Sequence, residues 1–421
     1  MSIPPAQARL SAIASHISSA SAPSSSSGGV TAVSSISSPP PPPTTFHGYI
    51  SHAPFNPPES GLQWGPFTPK KWTEYDVDIA ITHCGICGSD LHTLRQGWGG
   101  TKYPVVVGHE IIGHAVRVGS VVSSLPHPIA VGDRVGVGAQ AFSCHNNTNC
   151  DECSTSQQNH CRFSVDTYNG TYPADLGRSY GGYATHVRVD ARFVFGIPAT
   201  LPSELAAPLL CAGVTVFSPL KKIFSHHSTG SNSKKAIAII GIGGLGHLGI
   251  LLAKAMGYSR VIALSRNEDK RADALRLGAD EYYPTSENSD PKASSWSKTL
   301  ARSVDGIVCT VSSSRIPLRA YLRLLKVGGS FVMVGVPDGG EMPPVSAFQL
   351  VGGGISVGGS AIGSPDEVRE CLQFCAEKGV GSWVSTWPMR EAERAVLEME
   401  GGRARYRLVL VNEDGIGKQA V

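Results

Sequence analysis

Hydrophobic positions follow one rhythm up to about residue 211 and a different rhythm from residue 234 onward. In the first part, short apolar runs are broken by glycine and proline, as in YPVVVGHEIIGHAVRVG, VGDRVGVGA and GYATHVRVD. Runs of this length between turn residues are typical of β-strands. We therefore predict a mostly β, antiparallel and partly closed domain over residues 46–211.

From residue 234 onward, buried strands alternate with helical segments. The runs KKAIAIIG, RVIALS, DEYY, DGIVCTVS, SFVMVG and ISVGGS predict six strands, and GLGHLGILLAKAMG predicts a helix. Six strands alternating with helices predict a doubly wound parallel α/β sheet over residues 212–360. A helix, PDEVRECLQFCAEKG, and a strand, RYRLVLV, follow, and we predict that residues 361–421 return to the first domain.

Residues 1–45 are rich in serine, alanine and proline and carry almost no charge. Such a segment buries too little apolar surface to offset its ordering entropy, so we predict a disordered tail. Its single arginine and many serines leave an N-terminal targeting segment open as an alternative. No charged stretch precedes an apolar one there, so we expect no secretory signal and a cytoplasmic location.

Bulk composition narrows the class of protein. The 421 residues suit two domains, and a net charge of +3 is too small for a nucleic-acid-binding surface. The longest apolar stretch, from Ala236, is interrupted by glycines, a histidine and a lysine, so we predict no membrane span. Several of the ten cysteines are clustered, which favours metal ligands over disulfides in a chain without a secretory signal.

A glycine-rich turn follows the first strand of the second domain and opens its first helix. It reads Gly241-Ile242-Gly243-Gly244-Leu245-Gly246, the G-x-G-x-x-G spacing of dinucleotide-binding folds. The first glycine allows the tight turn, the second lets the backbone approach a pyrophosphate, and the third lets the helix pack on the strand. An ordinary strand–helix turn is the alternative, but the βαβ context favours a cofactor site.

The end of the second strand indicates which dinucleotide binds. NAD enzymes place an acid there for the ribose 2′-hydroxyl, whereas this chain has Ser265 and Arg266, with Lys270 one turn later. A hydroxyl and two cations suit the 2′-phosphate of NADP, so we predict NADP. Solvated surface charges are the alternative for both cations. The nearby acids at 268–269 have a separate explanation, because acids in the first turn of a helix complement its dipole.

A candidate structural metal site lies in a loop of the first domain. The stretch FSCHNNTNCDECSTSQQNHC holds four cysteines, namely Cys144, Cys150, Cys153 and Cys161. Four thiolates with C-x-x-C spacing match a closed tetrahedral zinc site, which holds a loop together and leaves no position for substrate. Disulfides are the alternative, and the expected compartment disfavours them.

A second candidate metal site is dispersed along the chain. Its possible members are Cys84 in HCGICGSDLH, His109 and Glu110 in VVVGHEIIGH, and Cys211 in APLLCAG. Catalytic zinc takes about three protein ligands and keeps a further position open. Spacing alone does not assemble these residues, and the C-x-x-C pair also suits a redox dithiol or half of a zinc finger.

The chain from Phe46 to Val411 resembles the zinc-dependent medium-chain alcohol dehydrogenases, most of all the cinnamyl alcohol dehydrogenases and their fungal NADP-dependent relatives. The resemblance rests on the motifs above together with GGYATH, VTVFSPL, GSAIGS and RYRLVLV. It implies a GroES-like catalytic domain, a Rossmann domain, one catalytic and one structural zinc ion, NADP and a homodimer. The implied reaction moves hydride between NADP(H) and a primary alcohol or aldehyde, aromatic (cinnamyl-type) or of medium chain length.

The resemblance also implies how the dispersed metal site is built. Cys84, His109 and Cys211 are expected to ligate catalytic zinc, with Glu110 as an exchangeable fourth ligand. Asp90 is expected to orient the zinc-bound histidine, since ligating histidines usually donate their other N–H to a carboxylate or carbonyl. Cys87 is then expected to be a packing residue.

The remaining candidate residues concern proton transfer and substrate binding. Ser89, at the position of the family's relay hydroxyl, and His92 are expected to relay the alcohol proton. The loop around Trp98 is expected to form a wall of the substrate site, with a packed loop tryptophan as the alternative. The chain also departs from the family pattern. Five residues, 145–149, separate the first two cysteines of the loop where two are usual, and LRQGWGG lacks the acid that some plant members carry beyond His92.

Three other functions remain open at this point. Zinc-free medium-chain reductases share the sheet and glycine turn but lack the cysteine ligands. Polyol dehydrogenases prefer NAD, so cofactor preference separates them from the favoured function. A zinc-stabilised binding protein without catalysis is the third, and an absence of aldehyde reduction would favour it.

Overall fold

The computed structural model describes residues 43–58, 61–146, 148–226, 234–285 and 295–413. The predicted disordered tail and the targeting segment lie outside the described residues, apart from 43–45. Two sheets dominate the described chain. We call the part around the first sheet the catalytic domain and the part around the second sheet the cofactor domain.

The catalytic domain begins with short strands and few helices, as the broken apolar pattern predicts. Its elements in chain order are β1 (Phe46–Ser51), β2 (Leu62–Phe67), β3 (Asp76–Ile86), α1 (Gly88–Leu94), β4 (Glu110–Val118), β5 (Arg134–Val137), β6 (Gln140–Phe142), α2 (Asp151–Ser154), β7 (Val165–Asp166), β8 (Thr171–Tyr172), β9 (Gly177–Arg178), β10 (His186–Asp190) and β11 (Val194–Gly196). The helices α3 (Ser203–Ala206) and α4 (Ala212–His226) then lead to the cofactor domain.

The cofactor domain alternates strands and helices. Its elements are β12 (Ala236–Ile240), α5 (Gly246–Ala255), β13 (Arg260–Ser265), α6 (Arg271–Arg276), β14 (Glu281–Pro284), α7 (Ser295–Thr299), β15 (Val304–Cys309), α8 (Leu318–Leu322), β16 (Leu325–Met333), α9 (Ala347–Gly353) and β17 (Ser356–Gly359). The six strands form one parallel sheet in the order β14-β13-β12-β15-β16-β17. Every residue of the central strand β12 is buried, as its unbroken apolar sequence requires.

The C-terminal segment consists of α10 (Pro365–Lys378), β18 (Val384–Pro388), α11 (Ala392–Glu400) and β19 (Arg407–Val411). In the catalytic sheet the strand order is β11-β5-β4-β3-β19-β18, and β10 also pairs with β3. The final strand therefore lies antiparallel to β3, with Leu410 opposite Cys84. The predicted α/β class, with a mostly β domain and a six-stranded parallel sheet, is confirmed, whereas the boundaries at residues 211 and 360 stay predictions.

The capping residues of α10 show why it begins and ends where it does. The Ser364 hydroxyl accepts from the backbone N–H of Glu367, and the Glu367 carboxylate accepts from the N–H of Ser364. Gly379, with a left-handed φ of 66°, ends the helix.

Among the described residues, no single helix has the length and apolarity to cross a membrane, although the bent pair Ser203–Leu210 and Ala212–Ser225 meets both criteria jointly.

Candidate metal centres and cofactor site

Four buried side chains converge between the two domains. Cys87, His109, Glu110 and Cys211 each offer a ligand atom, and these atoms all lie within 4.8 Å of one another. The two sulfur atoms are 3.9 Å apart, and Nε2 of His109 is 3.1 Å from the Cys211 sulfur. Two thiolates and an imidazole, with a carboxylate beside them, are the donor set that zinc takes in catalytic sites.

The chain reaches this cluster from three separate places. Cys87 stands at the end of β3, immediately before α1, and His109 and Glu110 begin β4. Cys211 follows a short 3-10 turn, Ala207–Leu210, and precedes α4. The adjacent strands β3 and β4 bring Cys87 close to His109 and Glu110. The turn before α4 brings Cys211 to them.

The structure corrects the predicted ligand Cys84, because Cys87 occupies its place in the cluster. Side chains alternate along β3, so Gly85 faces the Glu110 carboxylate while the Cys84 side chain turns to the opposite face. There the Cys84 sulfur is fully buried in the catalytic core, and a Cβ on Gly108 or Gly182 would approach it to 2.7 or 2.8 Å. Cys84 is therefore the packing residue, and Cys87 the candidate ligand.

Asp90 is fully buried behind the cluster and braces the backbone. Its carboxylate accepts from the N–H of Cys87 at 2.9 Å, the N–H of Gly108 at 3.2 Å and the hydroxyl of Tyr183 at 2.9 Å. These bonds hold the residues before β4 against α1. Its Oδ1 lies 3.7 Å from Nδ1 of His109, too far for a direct hydrogen bond.

Tyr168 is the nearer partner of the candidate ligand His109. Its hydroxyl lies 3.1 Å from Nδ1 of His109, and the two rings stack with centroids 5.3 Å apart. The orienting role of Asp90 stays a prediction. Tyr168 is a second candidate for orienting the His109 ring, and the sequence did not single it out. A lone tyrosine in a loop carries no signal by which it could have been found.

Glu110 pairs with a buried arginine of the C-terminal strand β19. Its Oε1 accepts from the guanidinium of Arg407, which is fully buried, while Oε2 has no hydrogen-bond partner among the described residues. Burial raises the pKa of Glu110, and the arginine opposes that rise. An unpaired carboxylate oxygen beside two thiols and an imidazole fits a position for a cation. Arg407 could have been noticed as a charge inside the apolar strand RYRLVLV.

The second cluster consists of the four loop cysteines. Their sulfur atoms are 3.6 Å apart for Cys144 and Cys153, 3.8 Å for Cys150 and Cys161, and 3.5 Å for Cys144 and Cys161. A tetrahedral zinc with bonds of about 2.3 Å separates its sulfur ligands by about 3.8 Å, so the geometry fits. All four are free thiols and no disulfide joins them.

The predicted relay and substrate residues lie around α1. Ser89 Oγ is 3.6 Å from the Cys87 sulfur, and Ser89, Trp98 and His109 line a cavity of about 230 Å³. The His92 ring stacks on the Trp98 indole with centroids 4.6 Å apart, and Trp98 is 43% exposed. The structure thus brings the serine next to the metal cluster and the tryptophan to the cavity mouth.

The glycine turn opens onto a cleft of about 970 Å³ in the cofactor domain. Gly241 has a φ of 86°, and a Cβ on Gly246 would overlap the carbonyl of Gly241. A Cβ on Gly244 would approach the Arg407 guanidinium to 2.6 Å. The turn therefore requires glycines, and it brings the cofactor cleft to the arginine that binds Glu110. Gly243 and Leu245 line the same cleft.

The predicted 2′-phosphate residues belong to the lining of this cleft. Ser265, Arg266 and Lys270 line it, and so does Arg405, which the sequence did not single out. Burial lowers the pKa of Lys270, and the neighbouring arginines lower it further. Three cations that converge without a matching number of acids suit a multiply charged anion.

Comparisons with known proteins show which family the chain resembles. Residues 73–199 match the alcohol dehydrogenase GroES-like domain, and residues 244–377 match the zinc-binding dehydrogenase domain. The chain is 40% identical over 351 residues to NADP-dependent alcohol dehydrogenase 6 of Saccharomyces cerevisiae, covering 83% of this chain and 92% of that protein. It is 38% identical over 345 residues to cinnamyl alcohol dehydrogenase 2 of Arabidopsis thaliana, covering 82% and 86%.

Solved structures show the same relationship. A cinnamyl alcohol dehydrogenase from Sorghum bicolor superposes with a TM-score of 0.76 at 35% identity, covering 89% of this chain and 98% of that one. A Helicobacter pylori relative complexed with NADP(H) gives a TM-score of 0.76 at 30% identity, covering 87% and 98%. The chain therefore belongs to the zinc-binding alcohol dehydrogenase family.

Proposed function

We propose that this chain transfers hydride between NADP(H) and a primary alcohol or aldehyde, of aromatic or medium-chain type. One observation carries the proposal. The Cys87–His109–Cys211 cluster and the cofactor cleft are joined by the ion pair of Glu110 with Arg407, whose guanidinium lies against Gly244. A candidate Lewis-acid site and a dinucleotide site thus meet, as hydride transfer to a polarised carbonyl requires.

The residues divide the work between binding and proton transfer. Cys87, His109 and Cys211 would hold zinc, which supplies a Lewis acid for the substrate oxygen when bound. Ser89, beside the cluster, would accept the alcohol proton, and His92 in α1 would take up a proton for release to solvent. NADP, when bound, would supply ribose hydroxyls as hydrogen-bonding groups between these two residues. The buried surroundings of the cluster keep bulk water away from the reacting atoms.

The cations at the end of the cleft select the cofactor. Arg266, Lys270 and Arg405 would bind the 2′-phosphate of NADP, and the Ser265 hydroxyl would hydrogen-bond to it. NAD lacks this phosphate, so its binding would leave the three cations with only the nearby carboxylates of Asp269 and Asp273 as counter-charges. Bound NADP(H) supplies the hydride acceptor or donor for the reaction.

An assay of NADPH oxidation tests the proposal directly. Purified protein with its metal content measured is screened against cinnamaldehydes, benzaldehydes and medium-chain aldehydes, with NADPH and NADH in parallel. We expect aldehyde-dependent oxidation of NADPH, with kcat/KM at least about tenfold higher than with NADH, because a charge-assisted phosphate contact contributes about 1.5–3 kcal/mol. A preference for NADH would instead favour a polyol dehydrogenase.

We also propose that the protein forms a homodimer through the outer edge of the cofactor sheet. Strand β17 is the last of its sheet, and none of the residues of α9 is buried. Phe348 and Val351 on this helix are 93% and 84% exposed, and Val327 on β16 is 69% exposed. An open strand edge next to an apolar helix face suits a self-complementary two-fold contact with a second copy.

A further inference from the structure

Two loops, one from each domain, meet beside the predicted proton relay. The loop after α1 carries Gly97 and Trp98, and the loop after β16 carries Val336, Asp338 and Gly339. The indole N–H of Trp98 donates to the Val336 carbonyl at 3.3 Å, and the N–H of Gly339 donates to the Gly97 carbonyl at 3.1 Å. The loops are thus in direct contact across the interdomain cleft.

Beside these loops, a short side-chain contact joins Asp338, in the loop after β16, to His92 in α1. Oδ1 of Asp338 is 2.5 Å from Nδ1 of His92, and the two side chains are 56% and 12% exposed. A carboxylate only accepts hydrogen bonds, so the hydrogen of the neutral imidazole sits on Nδ1 and the lone pair is on Nε2. The contact therefore selects the tautomer whose Nε2 accepts a proton.

Arg95 is the other charged group that faces this pair. Its Nη2 is 3.4 Å from Nδ1 of His92 and 3.8 Å from Oδ2 of Asp338. Its short bonds, at 2.7 and 3.0 Å, run from Nη1 to both carboxylate oxygens of Glu400. Arg95 is therefore neutralised largely by Glu400, and the carboxylate of Asp338 remains available to the imidazole.

Two packing features hold the pair in place. The Trp98 ring lies nearly parallel to the His92 ring, with an angle of 13° between them. Gly97 lacks the Cβ that would overlap Oδ1 of Asp338, so the loop can close over the carboxylate. The imidazole is thus fixed on its face by an indole and at its edge by an acid from the other domain.

We propose that Asp338 is a positioning residue for proton transfer at His92, supplied by the cofactor domain across the cleft. This inference rests on the proposed dehydrogenase function and deepens it. In alcohol oxidation, the O–H bond breaks, and Ser89 would accept its proton while Nε2 of His92 would take up a proton and release it to solvent. The ribose hydroxyls of NADP, when bound, would supply the hydrogen-bonding groups between the two residues. The electron pair of the C–H bond leaves as hydride to NADP⁺. Asp338 forms no bond to substrate, but it orients the imidazole and stabilises the imidazolium.

Asp338→Asn tests this role, and Glu341→Gln is the matched control, because Glu341 is an exposed acid three residues further along the same loop. We expect Asp338→Asn to lower the plateau kcat for alcohol oxidation on the order of tenfold, a small part of what proton transfer contributes. The rising limb of its pH profile should move to lower pH by on the order of 0.5 pH unit. KM for the alcohol should stay within about twofold of the wild type.

A double variant shows whether the effect passes through His92. Asp338→Asn should cause no further loss in a His92→Gln background, because the group that it positions is then missing. If the losses multiply, or if Asp338→Asn behaves like Glu341→Gln in plateau and pH profile, the inference is wrong.

A measurement without turnover separates this inference from the proposed function. Imidazole ¹⁵N NMR of the purified holoprotein follows His92 through a pH titration, and the signal missing in His92→Gln identifies it. We expect the titration midpoint to be lower in Asp338→Asn than in the wild type. Equal midpoints would overturn the inference even in an active enzyme. A wild type that oxidises no NADPH with any aldehyde would overturn the proposed function even where the midpoints differ.

Discussion

At the residue scale, Cys84 and Cys87 are only three residues apart in the sequence, yet one is a packing residue and the other a candidate metal ligand. The first packs into the catalytic core, and the second faces Cys211 at 3.9 Å. Both are buried, but β3 ends between them, so the alternation that turns Cys84 into the core does not extend to Cys87. The ligand set that we favour is therefore Cys87, His109 and Cys211, with Glu110 beside it.

We expect Cys87→Ala to lose the zinc of this cluster and keep that of the four-cysteine loop. Hydride transfer should fall by about 10³-fold or more, because Lewis-acid polarisation contributes several kcal/mol to the transition state. Elemental analysis and kcat/KM measure the two effects. The matched control is Cys84→Ala, which should keep both metals and cost on the order of 1–2 kcal/mol in free energy of unfolding. Zinc loss in Cys84→Ala alone would restore the ligand set that the resemblance implies.

Arg405 is expected to contribute to cofactor choice. Arg405→Ala should raise KM for NADPH by about 10- to 100-fold and leave KM for NADH nearly unchanged, because a charge-assisted hydrogen bond contributes about 1.5–3 kcal/mol. Steady-state kinetics with both cofactors measure the difference. Lys254→Ala is the control, since that amine pairs with Asp280 and does not line the cleft. Equal increases for the two cofactors would rule out a phosphate contact.

At the element scale, local sequence determines most of what could be predicted. The strands of the cofactor domain are short, continuous apolar runs between turn residues, and the structure contains all six in one parallel sheet. The glycine turn could be predicted as well, because its spacing reflects contacts within a few residues. Asp338, which is 246 residues from its partner His92, carries no such local signal. Contacts of that range depend on how the domains meet, which periodicity does not encode.

The loop around α2 is expected to act as a structural unit. Cys153→Ala should remove one zinc ion and lower the melting temperature, because the four thiolates hold a segment whose described helices, Asp151–Ser154 and Gln158–His160, are both short. The fraction of the Cys153→Ala variant that remains folded should keep most of the kcat of the wild type. Cys211→Ala is the comparison, in which turnover should vanish with a smaller change in melting. Similar loss of activity in both variants, with unchanged melting, would contradict this division.

At the scale of the whole molecule, Arg407 and Asp338 each link the catalytic and cofactor domains beside the reaction site. Arg407, in the returning strand β19, binds Glu110 and lies against the glycine turn at Gly244. Asp338 reaches from the cofactor domain to His92. The return of the C-terminal segment thus has a functional consequence, because it places a buried cation between the metal cluster and the cofactor cleft.

The proposed homodimer gives the last prediction. Phe348→Asp combined with Val351→Asp should convert the protein to a monomer, because two charges at the centre of an apolar contact would be desolvated without partners. Light scattering after size-exclusion chromatography gives the mass directly. Val131→Asp is the control, as this side chain is 66% exposed on the catalytic domain, away from α9. That variant should keep the mass of the wild type. A monomeric wild type, or a double variant that stays dimeric, would refute an interface at this face.

Zinc content and NADPH binding should persist in the monomer, since both metal clusters and the cofactor cleft are built from residues of one chain.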